Sequence, residues 1–186
     1  GFTDRTATAT YGIYTGAVYL MALPGGWIAD RLLGAQKTVL LGAIIITAGH
    51  FVLAVPGLST FFLGLLLVVI GTGLLKPNIT AIVGELYGND DPRRDGGFTL
   101  FYMGINLGAA IGPLVCSTLA ESDRFGWHWG FAAAGFGMLI GIVQFWFGKH
   151  KLGEAGLKPH NPSQTTNKHW SYVAVSIAAL LSVLAL

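Results

Sequence analysis

Charge is missing from long stretches of this chain, in blocks the length of a membrane-crossing helix. Residues 11–29, 38–55, 98–120 and 131–148 contain no Asp, Glu, Lys or Arg, and residues 61–83 contain one, Lys76. Each run is close to the ~20 residues an α-helix needs to cross about 30 Å of hydrocarbon. Hydrocarbon offers no partner to backbone N–H and C=O groups, so a crossing segment satisfies them internally as a helix or in a closed barrel. A barrel requires polarity that alternates along each strand, and no such alternation runs through these segments. The pattern predicts an all-α membrane protein with five crossing helices. A further apolar run begins near Trp170, so the expected organisation is a helix bundle over 1–150, a linker over 151–169 and a truncated membrane helix over 170–186.

The scarcity of charge narrows the function classes. Only 11% of the 186 residues are charged, against about a quarter in soluble domains, and mean hydropathy is +0.61. A net charge of +2 with no basic run gives nothing to track a nucleic-acid backbone. The single cysteine, Cys116, rules out an internal disulfide and any Cys-rich metal site, and its apolar setting marks it as an inert thiol. His128, His150, His160 and His169 lack metal-ligand spacing, and no Ser/His/Asp set or phosphate-binding glycine loop occurs, so neither a metal centre nor an enzyme is expected. The chain opens on Gly1 without an initiator Met and stops inside an apolar run; both features predict a piece of a longer protein.

Basic residues alternate between connections. Arg31 and Lys37 follow the first run, Arg93 and Arg94 the third, and Lys149, Lys151 and Lys158 the fifth; residues 56–60 carry none and the fourth connection carries Arg124 alone. The positive-inside bias puts connections one, three and five in the cytoplasm. Trp127 and Trp129 then fall at the outer interface, where indole rings concentrate. Gly104, Gly108 and Gly112 repeat every fourth residue, and Gly71 with Gly73 and Gly137 with Gly141 predict further close helix contacts. Pro24-Gly25-Gly26 and Pro77 lie inside runs and predict a structural kink or a moving joint.

Lys76 is the most informative residue. It stands nine residues before Glu85, hence roughly 13 Å into the apolar layer at about 1.5 Å per residue. A lysine near mid-membrane costs about 2.5 to 3.5 kcal/mol on insertion scales, which predicts that it faces a protein interior or wet cavity with an acidic partner. No carboxylate lies at matching depth in the other runs, so the partner is an acid outside this chain or a substrate carboxylate. Burial lowers an ammonium's proton affinity and pairing raises it, so exchange of partners can move a proton. Tyr102 and Asn106, four residues apart, share a helix face; the amide suits either an interhelical clamp or a cavity that meets another amide. Tyr14, Thr15 and Tyr19 form a polar stripe open to the same two readings. Asp30, Arg31 and Gly34 mark a charged turn, and His50 is expected to hydrogen-bond a neighbouring helix.

Three stretches carry a family resemblance. Gly25-Gly26-Trp27-Ile28-Ala29-Asp30-Arg31-Leu32-Leu33-Gly34 resembles the signature between the second and third helices of proton-dependent oligopeptide transporters, within the major facilitator superfamily. Gly71-Thr72-Gly73-Leu74-Leu75-Lys76-Pro77-Asn78 is similar to that family's lysine-bearing fourth helix. Phe98-Thr99-Leu100-Phe101-Tyr102-Met103-Gly104-Ile105-Asn106-Leu107-Gly108 resembles its second signature, with Ala110 replacing a larger apolar residue just beyond. The resemblance implies a twelve-helix facilitator fold, with two extra helices between the halves in bacterial members, of which this chain is a fragment covering the second to sixth helices. It implies proton-coupled symport of di- and tripeptides by a multi-pass monomer of the cell (inner) membrane, driven by the proton gradient without a cofactor. By position, Lys76 matches the lysine that meets the peptide carboxylate and couples protons, Asn106 a peptide contact and Tyr19 a pocket tyrosine. Asp30 matches the acid of the cytoplasmic turn, a gating contact with Arg31 beside it. The family's glutamate-rich motif, on its first helix, lies outside this sequence. A facilitator of nitrate or a drug-like compound remains the alternative on the same scaffold.

Overall fold

In the computed structural model, residues 3–159 are described, other than 89 and 123. Five long helices follow in order: α1 Asp4–Ile28, α2 Ala35–Leu53, α3 Leu58–Glu85, α4 Arg94–Ala120 and α5 Trp127–Gly148. No strand occurs among the described residues. Four of the helices, α2 to α5, are long and apolar enough to cross a membrane. The first is long enough, but Tyr, Thr and Gly dilute its apolar residues. It also starts seven residues before the predicted run at residue 11 because Thr3 caps it, the Thr3 hydroxyl accepting from Thr6 N at 3.3 Å with Asp4 in the first turn. Such a cap and an acid near the helix dipole extend a helix beyond its apolar stretch. The run from Trp170 lies outside the described residues.

The helices pack in the spatial order α1, α3, α2, α5, α4. Small residues set that order, though not all those with the strongest sequence pattern. A Cβ on Gly42 would stand 2.6 Å from the Gly71 carbonyl oxygen, and one on Gly49 3.0 Å from that of Gly64, so α2 and α3 touch backbone to backbone. Gly73, as expected, lies at a close crossing, against Met21 of α1. At Gly104, Gly108, Gly112, Gly137 and Gly141 a Cβ would meet nothing within 4 Å among the described residues. The repeat on α4 therefore has no described neighbour, and most of α4 is exposed.

The first connection is shorter than its charges suggest. A π-turn, Ala29–Leu33, continues α1, and α2 starts directly after Gly34. Gly34 has φ +81°, in the left-handed region, and a Cβ there would also meet the Leu157 carbonyl, so the reversal requires glycine on both counts. At the third connection Arg93 holds Asp91 in an ion pair of 2.8 Å. That hydrogen-bonded guanidinium lowers the Asp91 carboxyl to about 2.

The described part of the predicted linker is docked. After the short 3₁₀ turn Lys149–Leu152, residues 153–158 cross the ends of α2 and α3 as a strap. Gln36, buried at 7% exposure, donates from Nε2 to the Ala155 carbonyl at 2.7 Å and from its backbone N–H to Gly156 O at 2.8 Å. The Gly156 N–H donates to Glu85 Oε2 at 2.6 Å. Beneath the strap, Ala29, Ala35, Val39 and Ile82 form a buried cluster that Phe145, Leu152 and Ala155 complete. The Gln36→Leu variant removes the side-chain donor and leaves a carbonyl unsatisfied, costing roughly 1 to 3 kcal/mol. Limited proteolysis should then cut within 153–158 many times faster than in the parent protein.

Candidate functional site

Lys76 lies about five turns from the start of α3 and projects toward α1. Its Nζ stands 5.0 Å from the centroid of the Tyr19 ring. Both side chains are exposed on the described chain, Tyr19 at 66%. The partner expected on acidic grounds is, among the described residues, an aromatic face. Magnitudes show what that leaves undone: a cation–π contact supplies about 0.5 to 2 kcal/mol, against the roughly 2.5 to 3.5 kcal/mol cost of a lysine at this depth. The tyrosine orients the ammonium but leaves its N–H donors for a carboxylate or water.

The scaffold under this pair is a close crossing built around a proline. Pro77 has no N–H to give to the carbonyl four residues earlier, that of Gly73. Gly25 closes onto this same carbonyl, and any Cβ at position 25 would overlap it. Asn78, at 3% exposure, donates from Nδ2 to Gly25 O at 3.1 Å and to Leu74 O at 2.7 Å. Both helices continue through their prolines, and Pro24 and Gly25 are buried. Sequence reading singled out Lys76 and passed over Asn78; an amide two residues on, inside an apolar run, was the available signal. Removing it in Asn78→Leu should cost about 0.6 to 1.7 kcal/mol, as for hydrogen bonds between membrane helices. Unfolding titrated with an anionic detergent measures that loss.

The remaining candidates divide. The stripe on α1 splits, because Tyr14 packs half-buried against Ala17 and Val69, Thr15 returns its hydroxyl to Tyr11 O at 2.9 Å, and Tyr19 alone reaches Lys76. Asp30 is exposed and Arg31 half-buried in the π-turn. Asn106 and Tyr102 are exposed on α4, and Tyr102 stacks on Phe98 with centroids 6.3 Å apart. No described contact joins Asn106 to the Lys76 pair. His50 departs from expectation: its Nδ1 is buried without a hydrogen-bond partner among the described residues. Cys116 is a free, half-buried thiol. No group of His, Cys, Asp or Glu able to hold a metal occurs among the described residues.

A bundle of apolar helices crossing on bare backbone, with a lysine inside one of the apolar runs on its open face, defines a polytopic helical membrane protein. Comparison with known proteins gives the family. The family model described as "POT family" matches residues 36–184, and the chain belongs to that family. It is 41% identical over 186 residues to a di-/tripeptide transporter of Lactococcus lactis subsp. lactis (strain IL1403), covering 99% of this chain and 37% of the relative. It is 48% identical over 148 residues to the peptide transporter YePEPT of Yersinia enterocolitica subsp. palearctica serotype O:3 (strain YE-P4), covering 78% of this chain and 29% of that protein. Among solved structures, a mutant peptide transporter POT in complex with alafosfalin superposes with a TM-score of 0.85 at 41% identity, covering 100% of this chain and 38% of the other. The chain thus spans less than two-fifths of these relatives. The fold class is confirmed: an all-α, multi-pass membrane protein of major facilitator type.

Proposed function

We propose that the full-length protein is a proton-coupled symporter of di- and tripeptides, working by alternating access as a monomer in the cell (inner) membrane. The observation that carries this reading is the Lys76 ammonium inside an apolar run, set over the Tyr19 ring with no carboxylate partner among the described residues. A peptide presents a carboxylate that such an ammonium can bind. Loss of that partner to a competing acid, or to water, lowers the ammonium's proton affinity and releases a proton. Lys76 then serves as both the carboxylate ligand and the coupling group, Tyr19 as the pocket wall that orients it, and Asn106 as a peptide-amide contact from α4. Asp30 and Arg31 in the π-turn gate the cytoplasmic side. Binding near the midplane between two halves fits the general plan of alternating-access transporters, and the named relatives are peptide transporters. The driving force is the proton gradient, with no cofactor.

The test is uptake of a labelled dipeptide by the full-length protein in proteoliposomes. Accumulation is expected with an inward proton gradient, collapse with a protonophore and competition by excess dialanine. Uptake indifferent to dialanine would transfer the assignment to another solute such as nitrate or a drug-like compound.

A further inference from the structure

At the basic rim, the start of α2, the end of α5 and the strap enclose a groove of about 320 Å³. Its floor is apolar, from Leu40, Phe145 and Leu157, and its mouth carries Lys37, Lys149 and His150. No carboxylate lines it, and among the described residues neither lysine is in a salt bridge. Lys149 lies over the Trp146 ring at 3.6 Å, which places an ammonium beside an indole at the end of a membrane helix, the level of lipid headgroups. His150 Nδ1 stands 2.7 Å from the Phe147 carbonyl. A carbonyl only accepts, so Nδ1 carries the proton and Nε2 is left for a ligand. Gln36, the groove's other polar side chain, is committed to the strap carbonyls.

We propose that this groove binds the headgroup of an anionic phospholipid. The phosphate ester sits between Lys37 and Lys149, and the glycerol and first acyl carbons lie on Leu40, Phe145 and Leu157. Charge and polarity are arranged in that order from rim to hydrocarbon, which matches a lipid and not a soluble anion. Basic pockets between helix ends are a general means of headgroup recognition, each nearby lysine strengthening binding about fivefold. The site is separate from the Lys76 pair, and its test does not depend on the transport reading.

The experiment uses the full-length protein purified from mixed vesicles of phosphatidylglycerol and phosphatidylcholine, with co-purifying lipid counted by native mass spectrometry. The parent protein should retain phosphatidylglycerol preferentially, and Lys37→Gln with Lys149→Gln should reduce that preference about 25-fold. Lys37→Arg with Lys149→Arg should preserve it, as should the charge-matched Lys151→Gln with Lys158→Gln outside the groove. Unchanged preference in the Lys37/Lys149 glutamine variant, or equal loss in the charge-matched control, would overturn the proposal. Displacement of the lipid by millimolar inorganic phosphate would overturn it as well, since the site would then take a free anion.

Discussion

Lys76→Ala in the full-length protein is expected to abolish accumulation of dipeptide against its gradient. The alanine removes the only cation in five apolar runs, and with it both the carboxylate ligand and the group whose proton affinity changes with its partner. Substitution by arginine separates these roles. A guanidinium stays protonated under all working conditions, so Lys76→Arg should keep some exchange of peptide for peptide yet lose proton-driven accumulation. Tyr19 predicts a graded series. Tyr19→Phe keeps the ring face under the ammonium and should change KM less than twofold. Tyr19→Ala removes a contact of about 0.5 to 2 kcal/mol, corresponding to roughly 2- to 30-fold weaker binding. Unimpaired proton-driven uptake by Lys76→Ala would refute the coupling role outright.

The second large effect is structural. Gly25→Ala adds one methyl group where the only space is already filled by the Gly73 carbonyl. The obstacle is backbone, which has no rotamer to vacate, so α1 must move away from α3. Overpacking of this kind costs about 1 to 3 kcal/mol or more. Separation also stretches the Asn78 hydrogen bond to Gly25 O, now 3.1 Å, and draws Tyr19 off Lys76. The expected result is a lower yield of monodisperse protein, a lower melting temperature and a raised KM in whatever survives. Gly26→Ala, one residue on, where a Cβ meets nothing within 4 Å among the described residues, should be close to the parent in all three. Equal behaviour of the two variants would mean that the crossing at residue 25 does not hold α1 on α3.

Much of the fold was legible because lipid is an undiscriminating solvent. Absence of charge over a membrane's thickness suffices to predict a helix, and α2 to α5 follow the predicted runs with ends shifted by only a few residues. Lys76 was legible for the complementary reason, that an ammonium at depth is too costly to be incidental. The strap over 153–158 was not, since Gly153, Glu154 and Gly156 read as ordinary loop residues. Nothing local in the sequence pairs its anchor, Gln36, with Ala155, 119 residues later. The glycines misled in a specific way: the regular repeat on α4 faces no described helix, whereas Gly42 and Gly64, which belong to no repeat, and Gly25, expected only at a kink or joint, lie in the crossings.

By itself, the sequence determined that this chain forms apolar helices, which rim is basic, and that one lysine within a span must find a partner. These are properties of single residues against a solvent, and they are additive along the chain. Only the tertiary structure decided that the partner is the Tyr19 ring, that Pro77 frees a carbonyl for Gly25 to cover, and that residues after α5 return to bind Gln36 and Glu85. Such contacts join positions tens of residues apart, and depend on how two helices are rotated and shifted against one another. Local pattern sets which faces are apolar, but where most faces are apolar it does not say which of them meet.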